Sequence, residues 1–99
     1  MDDVPQRTSA VRNNTTRSRF ELEADGGTAI ADYGINAGII TFTHTFTPPA
    51  LRGRGLAARL IQGALEQVRA DGLKVVPQCW YVADYIRDHP EFADLLARR

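Results

Sequence analysis

From residue 18 the chain alternates: Phe20, Leu22 and Ala24 face one way while Glu21 and Glu23 face the other, the pattern of a half-buried strand. Asp25-Gly26-Gly27 supplies the backbone freedom of a tight turn. A second strand is predicted over residues 28–35, burying Ala29, Ala31, Tyr33 and Ile35, and Asn36-Ala37-Gly38 turns the chain again. A third is predicted over residues 39–46, with Ile40, Phe42, His44 and Phe46 on one face. The three read as an antiparallel meander. The period then changes. Ala57, Leu60, Ile61, Ala64, Leu65 and Val68 recur at helical spacing over residues 56–70, and Gly72 suits the position just past a helix end. Leu73-Lys74-Val75-Val76 is a short strand that Pro77 closes, parallel to the third through a right-handed crossover. Two short helices complete the pattern, one over residues 81–88 and one starting at Pro90 that buries Phe92, Leu95 and Leu96. Residues 1–16 are polar and aperiodic and read as a loose tail, which leaves residues 17–99 as one compact α+β domain.

The 99 residues leave no room for a second core. Twelve basic side chains balance twelve acidic ones, so overall charge gives no reason to expect nucleic acid or an anionic membrane as a partner. No apolar run approaches the ~20 residues needed to span a bilayer, and no secretory leader pattern opens the chain. Cys79 has no second cysteine to pair with, which fits a reducing compartment. The expectation is a soluble, cytoplasmic protein, for which a monomer is plausible. One cysteine and two histidines in separate elements provide no metal-ligand spacing, so no metal is expected.

The most informative segment is Pro48-Pro49-Ala50-Leu51-Arg52-Gly53-Arg54-Gly55-Leu56-Ala57-Ala58, where a Thr- and Ile-rich strand gives way to a basic, glycine-broken loop that runs into the long helix. A helix start presents unpaired N–H groups and a positive dipole end, a ready seat for phosphate. Gly53 and Gly55 carry no side chain to block approach, and Arg52 and Arg54 add charge. Gly53-Arg54-Gly55-Leu56-Ala57-Ala58 formally matches the dinucleotide pattern Gly-x-Gly-x-x-Gly/Ala. That pattern needs a tight strand-to-helix turn and a carboxylate at the end of the next strand. The loop here is long and holds two prolines, and the region around residues 73–78 has no carboxylate. A nucleotide-hydrolase loop fails as well, because no Gly-Lys-Ser/Thr follows.

The arrangement Arg52-x-x-Gly55-x-Ala57, between an antiparallel strand and a helix leading to a parallel strand, resembles the acetyl-CoA clasp of the GNAT superfamily of N-acetyltransferases. His44-Thr45-x-x-Pro48, Pro77-x-Cys79-x-Tyr81-Val82, Tyr85-Ile86 and His89-Pro90-Glu91 extend the likeness to the compact, single-domain GNAT-like subfamily over about residues 17–96. The resemblance implies a mixed sheet whose third and fourth strands splay apart, and acetyl transfer from acetyl-CoA to an amine, either a small molecule or a protein lysine. It implies that pantetheine pairs with the strand edge at Thr45, Phe46 and Thr47, and that the residues from Arg52 through Gly53, Arg54, Gly55 and Leu56 to Ala57 hold the diphosphate. Phe46 stands where many relatives carry a carboxylate, so a glutamate base at this strand is not expected. Cys79, ahead of a helix start whose dipole favours anions, is the candidate acyl carrier or proton-transfer group, against a reading as a small buried thiol. Tyr81 is the candidate proton donor to the departing sulfur, against a half-buried aromatic. His44 is the candidate partner of the thiol, against a satisfied core histidine. The alternative function is an acyl-CoA-binding module with little or no turnover.

Overall fold

The computed structural model describes residues 10–97. Its single sheet has five strands in chain order: β1 (Val11–Asn14), β2 (Arg19–Ala24), β3 (Gly27–Asn36), β4 (Ile39–Phe46) and β5 (Lys74–Pro77). The first four are antiparallel neighbours, and β5 lies parallel to β4. The helix α1 (Leu56–Ala70) makes the crossover, and α2 (Trp80–Asp88) and a 3-10 segment (Pro90–Leu95) follow β5. This is the mixed α+β arrangement that the patterning predicts. No described helix is long and apolar enough to cross a membrane.

The core fills the space between one sheet face and the helices. Phe20, Leu22, Ala29, Ala31, Ile40 and Phe42 meet Leu60, Ile61, Ala64, Leu65 and Val68 of α1, all fully or almost fully buried. Phe20 sits at its aromatic centre, with ring centroids 5.3 Å from Tyr33 and 6.0 Å from Phe42. Each buried side chain of this size contributes roughly 1.5–3 kcal/mol, so the stripe on α1, rather than helix propensity, holds the crossover in place.

Four sequence expectations are corrected. The expected tail over residues 1–16 lies partly outside the described residues, but within them Val11–Asn14 forms an edge strand. Val11 is buried against Gly63, where even a Cβ would come within 2.5 Å of the valine, and Gln67 Nε2 donates to the Val11 carbonyl at 2.8 Å. The second correction concerns β4. Its register with β3 jumps between Asp32 and Tyr33, leaving Thr43 as the extra residue of a β-bulge. Beyond it Thr45 pairs with Ala31 on the core side, while His44 and Phe46 pair with Asp32 and Ile30 on the other face. His44 and Phe46 therefore do not share a face with Ile40 and Phe42, and both are exposed.

Third, Ile35 and Leu96 are exposed rather than buried. Leu96 instead bridges Val75, and the Ala97 N–H donates to the Val75 carbonyl, so the end of the described chain covers the outer edge of β5. Fourth, Glu21 points away from the core as expected but is buried all the same. Arg19 Nε, Arg12 Nη2 and Asn14 Nδ2 surround its carboxylate at 2.8, 3.0 and 3.0 Å. The hydrogen bond from Arg19, then that from Asn14, hold its pKa below the ordinary carboxylate value.

Candidate active site

β4 and β5 stay paired only from Ile39–Lys74 to Phe42–Pro77. One last bond, from the Cys79 N–H to the Phe42 carbonyl at 2.8 Å, closes the joint. β4 then runs on through residues 43–46 with β3 on one side and no described strand on the other, while the segment after β5 turns into α2. Pro77 lacks an N–H and Gln78 folds back to Val76, so the parting is built into the backbone. The result is a V-shaped cleft of about 550 Å³. Thr43, His44, Thr45, Phe46 and Thr47 line one wall, and Gln78, Cys79, Trp80 and Tyr81 line the other.

Cys79 lies just past the vertex, as the residue capping α2. It is 8% exposed, and its Sγ is 3.6 Å from the Thr45 hydroxyl, which the bulge has turned to the core side. His44 lines the same cleft from the opposite sheet face, and no hydrogen bond joins it to the thiol among the described residues. Tyr81 is half-buried beside Cys79, and burial raises its pKa above the usual tyrosine value. Its hydroxyl thus remains a proton-bearing donor at neutral pH.

The mouth of the cleft leads into a smaller hollow of about 230 Å³ at the start of α1, lined by Arg52, Gly53, Gly55, Leu56, Ala57 and Ala58 together with Thr47, Leu51 and Tyr81. Gly55 precedes the helix in the left-handed region (φ 73°), a conformation that costs a residue with a Cβ roughly 1–2 kcal/mol. No side chain caps α1, and the amides of residues 53–58 find no acceptor among the described residues. All of these residues but Arg54 line the hollow, so the helix start offers it uncommitted donors. Arg52 is anchored above it: Nε donates to the Thr47 carbonyl at 2.9 Å, and the guanidinium lies 6.0 Å from the centroid of the Phe46 ring. Arg54 is exposed on the same loop.

A parted pair of parallel strands with an uncapped helix start at its mouth is a distinctive architecture, and sequence comparison agrees with it. Residues 19–95 match the family model of the GCN5-related N-acetyl-transferase. The chain belongs to that family. Among curated relatives, Protein NATD1 of Mus musculus is 31% identical over 84 residues, covering 81% of this chain and 76% of the relative. Protein NATD1 of Xenopus tropicalis is 28% identical over 90 residues, covering 87% and 82%. The solution structure of a GCN5-like putative N-acetyltransferase from Staphylococcus aureus superposes with a TM-score of 0.69 over 90% of this chain and 88% of its own, at 17% identity, which establishes likeness of fold.

Within this GCN5-related fold, the candidate residues fall together. His44, Thr45, Phe46 and Cys79 line the cleft, Gly53, Gly55 and Leu56 line the hollow at its mouth, and Thr47, Arg52, Ala57 and Tyr81 line both. Arg54 lines neither. Thr43 and Gln78 were not legible as site residues. Thr43 lines the cleft because it is the bulged residue, and Gln78 because it follows the last paired residue of β5. Trp80 stands 73% exposed at the rim, edge-on to Tyr81 at 5.8 Å. No Asp or Glu lines the cleft or the hollow among the described residues.

Proposed function

We infer that this protein transfers the acetyl group of acetyl-CoA to an amine, with the diphosphate at the start of α1 and the pantetheine arm along the unpaired edge of β4. The observation that carries this reading is the continuity of the two features: free amides at residues 53–58 open directly into the parted strands, with Cys79 near the vertex. Several charge-assisted hydrogen bonds, at ~1.5–3 kcal/mol each, suffice for micromolar affinity.

In the direct route, the amine nitrogen bonds to the thioester carbonyl carbon and loses a proton to His44 or to water. The carbon–sulfur bond then breaks, and the departing thiolate takes a proton from Tyr81. In the covalent route, the Cys79 sulfur bonds to the thioester carbonyl carbon, its proton goes to the coenzyme A sulfur that departs as the thiol, and the amine then takes the acetyl group from Cys79 and gives a proton back to that sulfur. His44 and Phe46 are exposed on the sheet face away from the helices, and an open acceptor side of this kind suits a lysine presented by another protein. The single cysteine makes the cytoplasm the natural compartment.

That no carboxylate lines the cleft among the described residues supports a second reading, an acyl-CoA-binding module with weak turnover. One titration examines both. Acetyl-CoA is expected to shift amide resonances across residues 45–58, and a panel of amines and lysine peptides is then expected to yield free coenzyme A. Shifts without turnover favour the binding module. No shifts at all defeat both readings. Mass spectrometry of the acetyl-CoA-treated protein separates the routes: an acetyl adduct that Cys79→Ser abolishes marks the covalent one.

A further inference from the structure

The sheet face turned away from the helices carries an uneven set of charges. On β1, β2 and β3 it presents Arg12 and Arg19 against Glu21, Glu23 and Asp32. Both arginines are committed. Arg19 Nε donates to Glu21 at 2.8 Å, and Arg12 Nη2 lies 3.0 Å from Glu21 and 3.3 Å from Glu23. Arg19 is the register partner of Asp32 on β2, yet no ion pair joins the two. The Asp32 carboxylate, half-buried, has neither ion-pair nor hydrogen-bond partner among the described residues. A carboxylate removed from part of its water without a partner is a costly group, and one primed for a cation.

The bulge in β4 decides what this carboxylate faces. The Thr43 hydroxyl donates to the Asp32 carbonyl at 3.4 Å, fastening the inserted residue to β3, and His44 becomes the residue across from Asp32. Side chains paired in this way have Cβ atoms about 4.5–5.5 Å apart. His44 in turn lines the cleft. Asp32 thus stands one strand back from the cleft wall, at the level of the candidate base. A carboxylate whose task was to orient the imidazole would be hydrogen-bonded to it, and no such bond is present among the described residues. The free carboxylate therefore points to a ligand contact.

The chemistry of the acceptor says which part of it fits. The nitrogen that attacks a thioester must be neutral, so a carboxylate has nothing to hold there. It suits a second nitrogen that keeps its proton, held by charge-assisted hydrogen bonds. Spacing follows from the sheet. Neighbouring strands lie about 4.8 Å apart, so a pantetheine arm along the free edge of β4 runs two spacings, about 10 Å, from the backbone of β3.

We propose that Asp32 anchors a second positive charge of the acceptor, about 10 Å from the nitrogen that is acetylated. The acceptor is then a diamine, a polyamine or a lysine beside another basic residue, rather than a simple monoamine. The proposal rests on the acetyl-CoA reading and deepens it by naming the charge of the acceptor.

Titration of the coenzyme A-saturated chain with heptane-1,7-diamine and with 7-aminoheptan-1-ol tests this without needing turnover. The two share one chain length and differ in the far charge. The diamine is expected to bind about tenfold more tightly, and Asp32→Asn to remove that advantage while leaving the amino alcohol and coenzyme A affinities unchanged. Asp32→Glu, which keeps the charge, is expected to keep the preference. Equal affinities of the unaltered chain for the two amines, a comparison that needs no variant to fold, overturn the anchor and leave the acetyl-CoA reading standing. So does an Asp32→Asn chain that weakens both amines alike. Spermidine and a peptide in which arginine follows lysine, titrated in the same way, name the source: the one that Asp32→Asn weakens about tenfold carries the recognised charge, and weakening of neither overturns the proposal. No binding of coenzyme A at all overturns the acetyl-CoA reading and the anchor with it.

Discussion

The two flanks of the sheet solve opposite problems. At the β1–β2 flank every gap is filled: Val11 sits in the notch at Gly63, Gln67 caps the Val11 carbonyl, and Glu21 is enclosed by two arginines and an asparagine. At the β4–β5 flank the strands are let go after Phe42 and Pro77, and the backbone of residues 43–46 is left unpaired on one side. On the proposed acetyl-CoA reading, the difference teaches that stability and binding are drawn from separate parts of this small fold. Substitutions at the closed flank should move the unfolding midpoint and spare coenzyme A affinity, and substitutions at the open flank should do the reverse.

The harshest test is Phe20→Ala, which empties the aromatic centre behind the closed flank. It is expected to cost about 3–5 kcal/mol in urea unfolding. Gly63→Ala comes next. The added methyl meets Val11 at 2.5 Å, and overpacking of this kind costs about 1–3 kcal/mol despite alanine's better helix propensity. Pairing it with Val11→Ala is expected to recover part of the loss, since the same notch is relieved. Neither single change should alter coenzyme A affinity in the fraction that remains folded. If Gly63→Ala weakened binding as strongly as stability, the two flanks would not be independent.

On the open side, Arg52→Ala is expected to lower coenzyme A affinity about tenfold while moving stability by no more than about 0.5 kcal/mol. A large fall in the unfolding midpoint would instead make Arg52 a structural strap between Thr47 and Phe46. The smallest effect concerns acid. The Glu21 pKa is lowered in the folded protein, so its contribution to stability is fully present above the unfolded carboxylate value of 4.5 and is lost as pH falls through the lower folded value. Glu21→Gln should therefore flatten the stability profile in that acid window and be felt most at neutral pH, with no change in the cleft.

The sequence made some of this plain and hid the rest for physical reasons. The α1 stripe is local and strongly periodic, and the helix spans the expected residues. The loop chemistry was legible because glycines, arginines and a helix start are adjacent in the chain. β1 was not legible. Its composition is polar, and its one anchor, Val11, makes sense only against a glycine 52 positions later. The bulge at Thr43 was equally invisible, since a period of two has no way to register an inserted residue. That single insertion put His44 and Phe46 on the wrong face in the reading of β4 and brought Thr45, rather than His44, to Cys79.

The order in which the sheet can assemble follows from its connections. β1 to β4 are joined by short turns and can zip as successive hairpins, whereas the parallel partners Ile39 and Lys74 meet only after the whole of α1 has folded across. Long-range pairing of this kind forms late and is among the first to open. The joint from which the strands diverge is thus the last seam of the molecule to close, and hydrogen exchange should find its amides looser than those of the hairpins beside it.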